Sequence, residues 1–527
     1  MWFLVLRCCG LGTMLFSSFQ LNYLLRYILL LPVFGLFCCR LVPGNNYKLI
    51  RVIALAFTIL TFILSVMLWG AYTPVSTEPF SHVVGFTLGW KGLVYVRLEF
   101  GVDRLSLWMV LLTRILMPIA VLCSWNNVPT YGAKSFMSVL LILESCLFGR
   151  FTSLDLLCFY ILYECSLLPM FLAIGLGGSG PRKVRLLYLL VLYTLVGSLA
   201  MLPCMLMMLS LVGSTSFLLL VHENWELSKQ LVFWWGLFLA FLVKVPMVPL
   251  HLWLPEAHVE LSTLGSVLLA GVLLKLGTYG LLRFNFGFFQ EACAYYGPFV
   301  LTLSLLGLIY RSFTTLRQID FKKLVLYSSV AHMSMVTLAL FTGSTVGLIG
   351  SSFLMFAHGI LSPALFLCVG LIYDRAHTKA LKYLGGALTA MPLFSIMLFI
   401  FSLCNMAMPL TPNFLAEFLC LCSVFNHNLL RLAGACILVI LLAAYSMWAY
   451  ARVVHGMPKP MYIKAMADLN RREFFTFVPL ILLTLWLGLK PDAVLDSLSS
   501  SIVYLHQASL KSIGKESVEW IVDFIGQ

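Results

Sequence analysis

The sequence predicts an all-α polytopic membrane protein with about 14 transmembrane helices and two inverted five-helix repeats that contain broken helices. Of the 527 residues, 61% are hydrophobic and only 10% are charged, whereas a soluble globular protein carries about 25% charged residues. The mean hydropathy is +0.98, so water cannot be the main solvent of this chain. Apolar runs of the length that crosses a bilayer, about 20 residues, follow one another with short gaps.

Fourteen apolar runs are the candidate transmembrane helices. They cover residues 24–43, 49–72, 104–125, 135–149, 153–175, 184–212, 230–254, 261–283, 296–311, 322–341, 346–373, 390–424, 429–452 and 473–490. We expect five regions: an N-terminal extension (1–23), three first helices (24–125), two five-helix halves (135–283 and 296–452), and a last helix with a C-terminal surface segment (453–527).

The net charge of +13 comes mostly from basic residues that lie between the apolar runs. Connections after odd-numbered helices hold 19 Lys and Arg residues, and the other connections together with the C-terminal tail hold about 10. The positive-inside rule therefore places the odd connections on the matrix or cytoplasmic side, and both termini on the opposite side. Some of these cations are expected to meet anionic lipid head groups. Nucleic acid is not an expected partner.

Neither the cysteines nor the glycine-rich motif indicates a cofactor in this chain. The 15 cysteines include no C-x-x-C pair, the spacing that iron–sulfur and structural zinc sites usually need. We interpret them as buried reduced thiols. GLGGSG at 175–180 matches a dinucleotide-binding pattern, but it follows a membrane helix instead of a strand. We expect a loop there and no nucleotide.

Four ionisable residues stand inside apolar runs: Glu164, Lys244, Lys275 and Glu417. Burying such a charge at mid-membrane costs about 2.5–3.5 kcal/mol, so these residues are rare unless they function. Lys and Glu, unlike Arg, can exchange a proton when buried, which suits a proton path. The competing interpretations are that Lys275 snorkels to an interface and that Glu164 forms a purely structural ion pair. Glu144 is a fifth such carboxylate, nearer a helix end and therefore weaker evidence.

Two of these charges lie beside predicted helix breaks. Lys244 is followed by Pro246, Pro249 and Pro255, and Glu417 follows Pro409, Pro412 and Asn413. Proline removes a backbone donor, and at membrane depth the freed backbone groups must line a cavity or bind water. A lone proline is usually a bland kink, but two breaks that each carry a charge are typical of transport sites.

Similar spacings suggest the internal repeat. Lys244 and Glu417 are 173 residues apart, and Glu164 and His332 are 168 residues apart. Five predicted helices separate each pair, and an odd shift in helix number reverses the direction of the chain across the membrane. The two halves are therefore expected to be inverted with respect to each other.

Four histidines lie in or at the ends of apolar runs: His251, His258, His332 and His358. Histidine exchanges protons near physiological pH. A single buried histidine is usually a hydrogen-bonded structural residue, but several beside buried Lys and Glu favour a proton relay. Pro255 interrupts the helix between His251 and His258, and no metal site is expected.

Several stretches resemble the chain 4 family of NADH–ubiquinone oxidoreductase, the antiporter-like membrane subunits of respiratory complex I. More distantly, they resemble subunits of multi-subunit cation/proton antiporters. The resemblance extends from about residue 45 to residue 490. Its most specific stretches are KVPMVPLHLWLPEAHVE at 244–260 and DFKKLVLYSSVAHMSM at 320–335. Further matching stretches are FGVDRLSLWMVLLT (100–113), LDLLCFYILYECSLLPM (154–170), LLKLGTYG (273–280), AHGILSPALF (357–366) and NFLAEF (413–418).

The resemblance implies roles in proton transfer for individual residues. Glu164 and Lys244 would form the charged pair of one half channel. Lys275 would be the central relay, and Glu417 the exit-side residue. Further relay candidates are His251, His332, His358 and Glu144.

The resemblance also implies a subunit of an H⁺-translocating NADH:ubiquinone reductase that has no redox centre of its own. NADH, flavin, iron–sulfur clusters and quinone are then expected in partner subunits, and neighbouring antiporter-like membrane subunits and lipids are the expected contacts. The expected location is the mitochondrial inner membrane, with both termini on the intermembrane-space side, and a bacterial plasma membrane is the alternative. A subunit of a sodium or potassium/proton antiporter and a structural subunit with an inactive channel remain as other functions. The intact set of buried charges argues against the inactive channel.

Overall fold

Long apolar helices make up most of the chain in the computed structural model, which describes residues 18–72, 80–90, 94–125, 132–177, 183–457 and 466–510. Helices are favoured because every backbone polar group needs a partner inside a bilayer, and a helix supplies those partners within its own segment. Within the described ranges, 13 helices are long and apolar enough to cross a membrane. The predicted all-α polytopic fold is confirmed, while the count of fourteen stays a prediction.

The helices and strands are numbered here in chain order. The first half contains α1 (Ser18–Leu41), α2 (Tyr47–Ala71), β1 (Ser81–Trp90), β2 (Val94–Val102), α3 (Arg104–Cys123), α4 (Ala133–Thr152), α5 (Leu156–Cys165), α6 (Leu167–Gly177), α7 (Lys183–Val212), α8 (Phe217–His222), α9 (Leu227–Lys244) and α10 (Trp253–Glu260). The second half contains α11 (Thr263–Phe288), α12 (Gln290–Leu316), α13 (Phe321–Leu340), α14 (Thr345–Ala376), α15 (Pro392–Asn405), α16 (Pro412–His427), α17 (Leu429–Val454), α18 (Arg471–Leu489) and α19 (Asp492–Leu510).

Both predicted helix breaks are present. The run at 230–254 divides into α9 and α10, and the run at 390–424 divides into α15 and α16. Pro392 and Pro412 each stand in the first turn of their helix, where a missing N–H costs nothing. Because α15 and α16 have only 14 and 16 residues, neither is long enough to count as a membrane-crossing helix by itself.

A β-hairpin lies between α2 and α3, and the sequence analysis did not predict it. β1 pairs antiparallel with β2, and the register places Val84 opposite Phe100 and Phe86 opposite Leu98. Branched and aromatic residues of this kind favour strands. The hairpin escaped prediction because a search for long apolar runs passes over strands of nine or ten residues.

The chain divides into two compact units. Unit 1 comprises residues 1–177 and 205–223, and unit 2 comprises residues 178–204 and 224–527. Three helices of unit 2, α11, α13 and α14, are almost completely buried, whereas α17 and α18 expose most of their surface. The buried helices carry Lys275, His332 and His358, so the candidate residues of unit 2 lie in its interior.

Several basic residues that the sequence analysis counted in connections are in fact buried in helices. They are Arg51, Arg150, Arg283, Arg311 and Lys322. These cations lie inside the protein, so they do not indicate which side of the membrane a connection faces. Without them, the connections after odd-numbered helices still hold about twice as many Lys and Arg residues as the other connections and the C-terminal tail.

Parts of the predicted terminal regions and of the glycine-rich loop lie outside the described residues, at 1–17, 178–182 and 511–527. α1 begins at Ser18, inside the predicted N-terminal extension. α19 occupies the first part of the predicted surface segment, and its Val494, Leu498 and Ile502 are buried at a spacing of four residues. A helix with one buried face therefore stands where only a polar segment was expected.

A close approach of α11 to the end of α9 supports the first testable prediction. A Cβ atom on Gly277 would lie 2.6 Å from Cγ2 of Val245 and 3.0 Å from the carbonyl oxygen of Phe241. Gly277→Ala should therefore overpack this contact, at a cost of about 1–3 kcal/mol. The thermal stability of the protein should fall. Gly297→Ala is the matched control, because a Cβ atom there meets nothing within 4 Å. Equal stability of the two variants would contradict the prediction.

Candidate functional site

Lys244 is the last residue of α9, and the chain resumes a helix only at Trp253. Carbonyl groups at such a break need other donors than the helix can supply. The indole N–H of Trp253 donates to the carbonyl of Val243 at 3.1 Å. The guanidinium of Arg311 donates to the carbonyl of Pro246. Lys244 itself is buried, so its charge lies inside unit 2 at an interrupted helix.

Lys275 lies in α11 between two π-helical turns, Leu269–Leu273 and Leu281–Asn285. Its side chain is fully buried. The ammonium group donates to the carbonyl of Ala270, which belongs to the first π turn, and lies 2.8 Å from Nδ1 of His358. Snorkelling does not describe this lysine, because its charged end is held by groups in the interior of unit 2.

Three further side chains continue from Lys275. The rings of His358 and His332 have centroids 5.2 Å apart. Nδ1 of His332 lies 3.1 Å from Oε1 of Glu417, a distance within ion-pair range, although the angle is not that of a hydrogen bond. Residues from α11, α14, α13 and α16 thus form one row of titratable groups, which we call the central line: Lys275, His358, His332 and Glu417.

The Glu417 end of the central line is rich in unpaired polar atoms. Both carboxylate oxygens of Glu417 and both polar atoms of the Asn413 amide are buried without a hydrogen-bond partner among the described residues, and so is Nε2 of His332. Asn413 stands one turn before Glu417 in α16. Buried polar atoms normally have hydrogen-bond partners, so this cluster is chemically suited to bind water or to take up a proton.

Glu164 lies in unit 1, next to the last residue of α5, where Ser166 separates α5 from α6. The residue is half-buried, and its Oε1 is buried without a hydrogen-bond partner among the described residues. The guanidinium of Arg150 lies 5.6 Å from the ring centroid of the adjacent Tyr163 and interacts electrostatically with Glu164. Lys244 belongs to unit 2, and the pairing of Glu164 with Lys244 stays a prediction.

Glu144 lies near the middle of α4 and not near a helix end as the sequence analysis supposed, because α4 extends from Ala133 to Thr152. Its carboxylate forms a buried ion pair with Arg114 and accepts a hydrogen bond of 2.7 Å from Thr61. Arg114 also donates to the carbonyl of Ile28 at 3.1 Å. These contacts give Glu144 a permanent cation as its partner, which weakens its candidacy as a relay.

Arg114 was missed by the sequence analysis, although a signal was available. It is a lone guanidinium ten residues into the apolar helix α3, which is an expensive position without a partner. Lys, Glu and His were considered as proton carriers, whereas Arg was left out because it does not release its proton.

The ring contacts of the two remaining candidate histidines are with residues outside the central line. The ring of His258 stacks on Phe366, with centroids 5.0 Å apart and an interplanar angle of 19°. The ring of His251 meets Tyr310 edge to face at 6.3 Å. His251 and His258 are both buried. Among the described residues, no group of three His, Cys, Asp or Glu residues is arranged to hold a metal ion.

Known proteins share both the sequence and the fold. A family model described as "NADH:quinone oxidoreductase/Mrp antiporter, TM" matches residues 153–443. NADH-ubiquinone oxidoreductase chain 4 of Arabidopsis thaliana is 44% identical over 91% of this chain and 96% of its own length. The chain of the same name from Prototheca wickerhamii is 41% identical over 94% and 97%.

Solved structures agree. A chain in the respiratory complex I of Thermus thermophilus with bound NADH superposes with a TM-score of 0.81 and 28% identity, covering 92% of this chain and 99% of that one. A chain of the Mrp complex from Dietzia sp. DQ12-45-1b also has a TM-score of 0.81, at 17% identity, which shows a common fold alone. Fold and family match together define an antiporter-like polytopic membrane subunit. The chain belongs to the NADH-ubiquinone oxidoreductase chain 4 family.

The Glu144–Arg114 pair supports a second prediction. Removing one partner of a buried ion pair typically costs about 3–5 kcal/mol, because the other charge stays buried alone. Glu144→Gln should therefore lower the thermal stability and the amount of assembled complex. The double variant Glu144→Gln/Arg114→Met removes both charges and should recover much of the loss. Native gels and thermal unfolding of the complex measure both effects. Wild-type stability of the single variant would show that the ion pair does not stabilise the fold.

Proposed function

We propose that this chain, a membrane subunit of H⁺-translocating NADH:ubiquinone oxidoreductase, moves protons through the central line. The observation that carries the proposal is the row of four neighbouring titratable side chains from Lys275 to Glu417. Four helices each contribute one buried residue to it, although every such residue is costly to bury. Glu164 and Lys244, beside the breaks of α5 and α9, are the proposed entry pair.

The chemistry of the line follows from its groups. The ammonium of Lys275 transfers a proton to Nδ1 of His358, so that an N–H bond breaks on the lysine and forms on the ring. An imidazole accepts a proton on one nitrogen and releases one from the other, so His358 passes a proton to His332. His332 then releases a proton from Nδ1 to the carboxylate of Glu417, which becomes neutral. The unpaired polar atoms around Asn413 suit the final exchange with water.

The driving force comes from redox chemistry in other subunits. We place NADH, flavin, iron–sulfur clusters and quinone in those partners, as membership of the chain 4 family implies. The family's other membrane subunits, especially antiporter-like neighbours, and anionic lipids are the proposed contacts. The charge bias of the connections supports a multi-pass orientation in the mitochondrial inner membrane, with both termini on the intermembrane-space side.

The inverted-repeat organisation is part of the same proposal. Residues 135–283 and 296–452 form the two halves, and Glu164 and His332 occupy equivalent positions in them. The breaks after α9 and before α16 support this assignment, because each lies beside a buried charge of its own half.

A cation/proton antiporter subunit is the second candidate, favoured by the matching family model, whose description also names the Mrp antiporter. The two candidate functions predict different partner subunits, with redox centres in the first case and without them in the second. Purification of the native complex should recover flavin and iron–sulfur absorbance, with NADH oxidation in the same particle. A particle without redox centres that exchanges sodium or potassium for protons would favour the antiporter.

Lys275→Met tests the central line. Methionine is similar in length but carries no proton, so the transfer to His358 is lost while the interior stays filled. Formation of a pH gradient by sealed vesicles should fall by about tenfold or more, and coupled NADH oxidation should fall with it. Lys323→Met, in the first turn of α13 but exposed, is the control and should pump normally. Normal pumping by assembled Lys275→Met would exclude the central line as the route.

Glu164→Gln tests the entry pair separately. Gln is isosteric, so assembly should survive, but the carboxylate that stabilises the charge on Lys244 is removed. Proton pumping should drop steeply, and Glu164→Asp, which keeps the charge, should retain more activity than Glu164→Gln. Vesicle assays with native gels as the assembly check decide the outcome. Full pumping by an assembled Glu164→Gln complex would leave Glu164 as a structural or redundant residue.

A further inference from the structure

Arg311 is a fully buried guanidinium in α12, five residues before the end of that helix. Its neutral acceptors are the carbonyls of Pro246 and Val330 and the hydroxyl of Ser334. No carboxylate among the described residues contacts it. Burying a cation that no carboxylate neutralises is costly. We therefore expect the hydrogen bonds of Arg311 to hold groups whose relative positions are needed for function.

One end of the Arg311 guanidinium contacts the helix break after Lys244. The interruption of α9 leaves the carbonyl of Pro246 without a donor from the helix, and Arg311 donates to it. Together with the bond from Trp253 to Val243, this contact satisfies the backbone where two helical segments fail to meet. Arg311 therefore substitutes for the backbone donor that a continuous helix would supply.

The other end of Arg311 holds the turn of α13 that carries His332. Nη1 donates to Oγ of Ser334 at 3.1 Å and to the carbonyl of Val330 at 3.4 Å. These two residues lie two positions before and two positions after His332. Ser334 also donates to the carbonyl of Val330 at 3.0 Å, so the three groups form one small network.

We propose that Arg311 is a positioning residue that joins the break after Lys244 to the His332 turn of α13. It fixes the distance between the entry side and the central line without carrying a proton itself. Arginine suits this task, because its planar fork reaches two helices at once, whereas a lysine ammonium is a single point. The inference deepens the proposed proton route and rests on it.

The test compares four single variants and the double variant Arg311→Met/Ser334→Ala of the whole complex in sealed vesicles. Arg311→Met removes both arms of the bridge, Arg311→Lys keeps the charge but not the fork, and Ser334→Ala removes one acceptor on α13. Arg317→Met is the matched control, since Arg317 follows the same helix and is exposed. Proton pumping per assembled complex is measured alongside hydrogen–deuterium exchange of residues 245–252 and of α13.

Arg311→Met should slow pumping by about tenfold and speed exchange in residues 245–252 by a similar factor, because the break loses a donor. Ser334→Ala should slow pumping about twofold to fivefold, and adding it to Arg311→Met should have little further effect, because both remove the same bridge. Arg311→Lys should pump better than Arg311→Met. Arg317→Met should leave both measurements unchanged.

Normal pumping and normal exchange in assembled Arg311→Met would overturn the inference. If Arg311→Met does not assemble, Ser334→Ala and Arg311→Lys carry the test, and wild-type pumping by both would overturn it equally. The Lys275→Met variant distinguishes a failure of the Arg311 inference from a failure of the proton route through the central line. An inactive Lys275→Met complex beside a fully active Arg311→Met complex rejects only the bridge, whereas normal pumping by Lys275→Met rejects the central line itself.

Discussion

The exclusion of water from a bilayer interior is the constraint on which the rest of this structure depends. Backbone groups must find partners within the protein, which explains why the chain is almost entirely helical, and charged side chains must find partners there as well. Several departures from a continuous helix and several buried charges are accordingly matched by a donor or acceptor in the interior. The break after Lys244 is the clearest case, because Trp253 and Arg311 each supply a donor that the backbone lacks.

The buried charges fall into two kinds that differ in chemistry. Arg114 and Glu144 neutralise each other, and because arginine keeps its proton, the pair is suited to holding helices together. Lys275 instead contacts an imidazole, a group that can take its proton. The same energetic cost thus suits stability at the Arg114–Glu144 pair and, in the proposed route, proton exchange at Lys275, and the identity of the cation, Arg or Lys, separates the two uses.

The apolar runs, both proline breaks and the buried positions of Lys275 and Glu417 could be predicted from the sequence, because each depends on local composition. The contacts could not. Arg311 and Pro246 are 65 residues apart, and no local pattern indicates that they meet. Arg311 was assigned to a connection because it stands near the end of an apolar run, although α12 continues past it to Leu316. The hairpin was missed for a different reason, since its strands are too short to compete with 20-residue helices.

The two π turns of α11 have a consequence for how this helix compares with others of its kind. A π turn holds one residue more than an α turn, and one residue corresponds to about 100° of rotation. Leu269–Leu273 adds that rotation just before Lys275, whose ammonium lies against His358, and Leu281–Asn285 adds a second rotation further along the helix. Each π turn is therefore a place where a related chain can be one residue shorter and still match beyond it. Equivalent lysines should be found by the face of the helix they occupy and not by counting residues from its ends.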